Sequence, residues 1–62
     1  MDSYWESSLE EVKIKLWAKR ISWAKATAIF STEEMISWFL VGNSTDRVTE
    51  AVLFRIQELK KD

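Results

Sequence analysis

The chain has 62 residues, nine lysines and arginines against ten aspartates and glutamates, and neither cysteine nor histidine. That length allows one domain, spanning 1–62, and a single core that is marginal on its own. The missing residue types exclude disulfide staples, thiolate and imidazole metal sites, and nucleophile–histidine catalysis.

What remains to stabilise the fold is packing or association. Besides five alanines there are 24 larger apolar residues, with four tryptophans and three phenylalanines among them. A 62-residue monomer has little interior for so many large aromatics, each of which buries roughly 150–250 Å². Charge is uneven along the chain. Residues 1–11 carry only acids, 12–32 carry only lysine and arginine until Glu33, and the rest is mixed.

With no proline and Gly42 as the one glycine, the chain reads as nearly continuous helix punctuated by capping residues. Ser8-Leu9-Glu10-Glu11 has the form of a capping box, in which a serine oxygen and a glutamate satisfy each other's orphan N–H groups. Ser3-Tyr4-Trp5-Glu6 has the same form one turn earlier. The expected first helix covers about 8–29. On it Leu9, Val12, Leu16, Trp23 and Phe30 share one stripe, with Trp5 joining if the helix starts early. Ile14, Trp17, Ile21, Ala24 and Ala28 make a second patch facing away from that stripe.

Ser31-Thr32-Glu33-Glu34 marks the second helix, about 32–41, with Phe30 and Met35 spaced as a hydrophobic staple. Met35, Ile36, Phe39 and Leu40 form its packing side, and Trp38 points elsewhere. Gly42 supplies the left-handed residue that ends it. Ser44 or Thr45 caps the third helix, about 46–60, which packs through Val48, Val52, Ile56 and Leu59 and leaves Leu53 and Phe54 off that face. Lys60 and Lys61 complement the negative end of its dipole. The expected architecture is therefore an all-α, compact three-helix domain.

Each helix carries large apolar residues outside its stripe, and these need a second partner. Trp17, Ile21, Trp38 and Phe54 are the expected interface residues, and a helical homodimer is the expected assembly. No catalytic set is visible. Glu10/Glu11 and Glu33/Glu34 are neighbours that diverge by about 100° on a helix, so they read as first-turn charges. No cofactor or metal is expected, and a single glycine rules out a phosphate-cradling loop. Asn43-Ser44-Thr45 matches a glycosylation acceptor but reads as turn plus cap.

The expected function is thus a small non-enzymatic protein–protein interaction module: a regulator, inhibitor or assembly factor. In size, tryptophan content and lack of a catalytic set it is similar to small viral or plasmid-borne regulators. No run approaches the roughly 20 apolar residues of a membrane span, and no signal peptide is visible, so the cytoplasm is the expected compartment. Two alternatives stand beside this. The second helix, the Gly42 turn and the third helix have the gross layout of a helix-turn-helix. In a DNA-binding reading, Lys13, Lys15, Lys19, Arg20, Lys25 and Arg47 are the phosphate contacts. Trp38 and the acids Asp46 and Glu50 count against it. The weaker alternative is attachment of the first helix to a membrane surface, although its basic residues point all round the wheel.

Overall fold

The computed structural model describes residues 4–60, with side chains from Glu6 onward. The chain forms four helices, α1 (Tyr4–Ala18), α2 (Trp23–Ile29), α3 (Thr32–Leu40) and α4 (Thr45–Lys60), with no strand among the described residues. The all-α expectation holds, but the helix expected over 8–29 is two. The start at Ser8 is also displaced, because α1 is already helical at Tyr4 and Ser8 lies buried within it. Ser3, the side chain of Trp5, and Lys61 lie outside the described residues.

The physical reason for the extra break is a helix cap that carries no glycine. Arg20 takes φ 66°, a left-handed conformation that is uncommon for a side-chain-bearing residue. Around it the Ile21 N–H donates to the Leu16 carbonyl at 2.9 Å, and the Arg20 N–H donates to the Trp17 carbonyl at 2.8 Å. These are the two closures of a Schellman motif, with Arg20 in the position usually held by glycine. Ser22 then caps α2, its side chain accepting the Lys25 N–H at 3.2 Å.

The later boundaries follow their sequence signals. Ser31 accepts the Glu34 N–H at 3.1 Å and starts α3, with Glu33 and Glu34 in its first turn. Gly42, at φ 102°, ends it through a second Schellman motif. There Asn43 N–H donates to the Trp38 carbonyl at 3.1 Å, and Gly42 N–H donates to the Phe39 carbonyl at 3.0 Å. The Asn43 side-chain amide donates to that same Trp38 carbonyl at 3.0 Å. Ser44, not Thr45, caps α4 by accepting the Arg47 N–H.

The core gathers one stripe from each helix: Leu9, Val12 and Leu16, then Ala26, Met35 and Phe39, then Val48, Val52 and Ile56. Most of these follow the expected stripes. Two do not extend as far as periodicity indicates: Leu40 is 72% exposed and Leu59 is 56% exposed. Both lie in the last turn of their helices, where the angular position is right and no neighbouring helix covers them. α1 packs most extensively on α4. Buried Thr49 is satisfied by donating to the Thr45 carbonyl at 2.7 Å, and no buried side-chain nitrogen or oxygen among the described residues lacks a partner.

Candidate interaction surface

The bend at Arg20 decides what α1 presents to solvent. On a straight helix Lys13 and Trp23 would stand about 15 Å apart along the axis. Here the chain folds back, and the Lys13 ammonium sits 5.5 Å from the centre of the Trp23 ring. Lys13 also pairs with Glu10 at 3.1 Å. Beneath this pair lies an apolar groove of about 300 Å³, walled by Ile14 and Trp17 from α1 and by Ile21 and Trp23 from the joint and α2.

One side of the groove is half-buried and the other projects into solvent. Ile21 and Trp23 pack against the core, while Ile14 and Trp17 are each 66% exposed. Trp17 is exposed because α1 turns its buried stripe of Leu9, Val12 and Leu16 the other way. Among the described residues nothing covers most of that indole. At roughly 25 cal/mol per Å², covering the exposed part of Trp17 alone is worth about 2–4 kcal/mol.

Of the four residues expected at an interface, the structure brings two together. Trp17 and Ile21 line the same groove, joined by Ile14 and Trp23. Phe54 is 66% exposed on α4, beside Leu53, Glu50 and Glu58, and does not line that groove. Trp38 is placed differently from expectation. It packs against the core and meets Phe30 edge-on, with ring centroids 4.9 Å apart and planes at 69°. The α2–α3 joint delivers Phe30 to it, so part of the surface that the sequence leaves for a partner is covered within the chain. Ile14 belonged to the expected second patch of the first helix. Trp23 belongs by periodicity to the core-facing stripe, and only the bend gives it a second role at the groove's edge.

The six expected phosphate contacts are not gathered into one patch. Lys13 is held by Glu10 and Trp23. Lys15 bonds to Asp46 at the start of α4 and donates to the Thr45 hydroxyl at 3.3 Å. Donation of a hydrogen bond to Asp46, aided by that carboxylate's charge and by Glu11, holds the Lys15 ammonium above the ordinary lysine pKa against a smaller desolvation effect. Lys19 lines a shallow cleft shared with Asp46 and Glu50, and Arg47 lines a separate recess with Trp38 and Asn43. Arg20 is committed to the α1–α2 turn by its backbone, and Lys25 stands exposed on α2. The α3–turn–α4 pair does exist, but α4 opens with Asp46, Arg47 and Glu50, so its first turns carry more acid than base.

Among the described residues no three metal-binding side chains cluster, and no helix is long and apolar enough to cross a membrane. No protein-family model matches the chain, nor does any curated protein or solved structure.

Proposed function

We propose that this chain is a non-enzymatic protein–protein interaction module of the cytoplasm, a small regulator, inhibitor or assembly factor. Its contact surface is the α1–α2 groove, and a second copy of itself is the first partner. The carrying observation is the exposed pair Ile14 and Trp17 standing over the half-buried Ile21 and Trp23. Tryptophans at the centre of such patches are the residues on which binding energy concentrates. Association also supports a protomer whose core is small, since partner binding adds directly to its stability. DNA binding draws less support, because Lys13 and Lys15 are already neutralised by Glu10 and Asp46.

Sedimentation equilibrium on the wild type and Trp17→Ser tests this reading. Trp17 is mostly exposed, so its loss should change monomer stability by only about 0.5 kcal/mol. Association should weaken by about 30-fold or more, the effect of removing an aromatic anchor. A wild type that stays monomeric at high micromolar concentration, with the variant indistinguishable from it, would remove the groove's proposed role.

A further inference from the structure

The α1–α2 joint is bent, yet its residues are also compatible with a second conformation, a continuous helix. Between Ala18 and Trp23 there is no proline or glycine to forbid helix, and Arg20 holds a left-handed φ that the helical conformation would relieve. The apolar stripe stays in register through the joint: Leu9, Val12 and Leu16, buried in α1, and the half-buried Trp23 and Phe30 fall on one side of a single helix drawn through all of them. The bend is held by three backbone bonds, from the Lys19 and Ile21 N–H groups to the Leu16 carbonyl and from the Arg20 N–H to the Trp17 carbonyl, and by the Ser22 cap. A continuous helix would replace these with its own ladder.

We infer that the joint is the hinge of a domain-swapped dimer, formed with a second copy of this chain. Straightened, Tyr4–Ile29 becomes one helix roughly 39 Å long, which carries α1 off the place it holds on its own α3 and α4 while α2 stays docked. Its buried stripe then packs on α3 and α4 of the second copy, and the second copy does the same in return. Every contact that α1 makes away from the joint is reproduced between chains, so the swap has no large enthalpic cost. Strained short connections are where such exchange occurs. Each dimer contains two copies of the groove, with Ile14 and Trp17 from one chain facing Trp23 from the other. This rests on the interaction-module reading and makes its site composite; the groove's own contacts are the same in monomer and swapped dimer, so they do not drive the exchange.

Two substitutions shift the joint in opposite directions. Arg20→Gly relieves the left-handed residue in the bent form and weakens the helical form, and should lower the swapped population by about tenfold or more per chain. Ser22→Ala removes the cap that holds the bend and favours helix, and should raise it by about tenfold per chain. The wild type and both variants are refolded at high concentration, diluted, and followed by size-exclusion chromatography and native mass spectrometry. Circular dichroism of each fraction confirms that it is folded.

The expected result is a dimer that persists after dilution, because its dissociation requires α1 to leave a core, and whose yield follows Ser22→Ala, wild type, Arg20→Gly in descending order. Trp17→Ser, made alongside, should leave this dimer's yield intact. Equal yields from both joint variants, or no persistent dimer even from Ser22→Ala, would overturn the hinge. If the only dimer in any variant re-equilibrates at once on dilution, the hinge is overturned, and loss of that dimer in Trp17→Ser would leave the groove as a docking surface standing.

Discussion

The molecule ends two of its helices in the same way with different residues. At the end of α1 and at the end of α3, an i+5 and an i+3 backbone bond close around a residue of positive φ. After α3 that residue is Gly42, which has no side chain to oppose the conformation. After α1 it is Arg20, whose Cβ makes the same conformation cost about 1 kcal/mol. Asn43 adds a side-chain bond to the Trp38 carbonyl at the glycine turn, and among the described residues no side chain makes an equivalent bond at the arginine turn. One turn is therefore dictated by its own residues. The other is held by the tertiary structure on both sides of it.

If that is right, the arginine turn should depend most on what lies under it. Leu16 supplies the carbonyl that Ile21 bonds, and its side chain is fully buried. Leu16→Ala should destabilise the fold by about 3 kcal/mol, within the usual span for a buried leucine, as read by urea denaturation. A loss under 1 kcal/mol would mean that α1 is not anchored through this residue and that the turn is locally determined after all.

The left-handed positions themselves should respond with opposite signs. A Cβ at Gly42 meets no atom within 4 Å, so Gly42→Ala tests backbone strain without a clash. It should cost about 1–2 kcal/mol, since φ 102° is further from the region open to L-residues than Arg20 is. Arg20→Gly should stabilise the bent monomer by about 0.5 kcal/mol, the relief of strain being partly offset by a more flexible unfolded chain. Thermal midpoints of the two variants against wild type would read both effects. If Arg20→Gly destabilised the monomer, the comparison between the turns would fail.

The same contrast explains what could be read in advance. Ser31, Glu34, Gly42 and Ser44 each do locally what their chemistry favours, so the bounds of α3 and the start of α4 were legible. Arg20 is an ordinary helix-former put to a glycine's use, and the apolar stripe runs through it without a break in phase. Ser22 was the one available signal, and the residue three positions on is Lys25, which cannot complete a capping box. Periodicity also fixes an angle but not a length of cover. Leu40 and Leu59 therefore had the right direction and no neighbour, while Trp38 had the wrong direction and met Phe30. At the candidate surface, Ile14, Trp17 and Ile21 were legible as a patch. Its far wall, Trp23, was not, because it joins them through the bend.

The smallest expected effect belongs to the contact that spans both turns. Lys15, in the last turn of α1, bonds to Asp46 and to Thr45 Oγ1, in the first turn of α4 just past Gly42. The Asp46 hydrogen bond raises the folded-state pKa of Lys15 above its unfolded value. A raised cationic group stabilises the fold fully below the unfolded pKa, about 10.4 for lysine, and that contribution is lost as pH climbs through the folded value. The pair is solvent-exposed on the Asp46 side, so its worth is small and should shrink further in salt. The measurement is the difference in urea midpoint between wild type and Lys15→Met, followed from neutral to strongly alkaline pH, where other titrating groups cancel. The wild type should hold a small advantage at neutral pH that stays flat until lysine begins to titrate and then closes. An advantage that grew with pH would reverse the sign of the linkage, and the Lys15–Asp46 bond would not be what ties the two turns together.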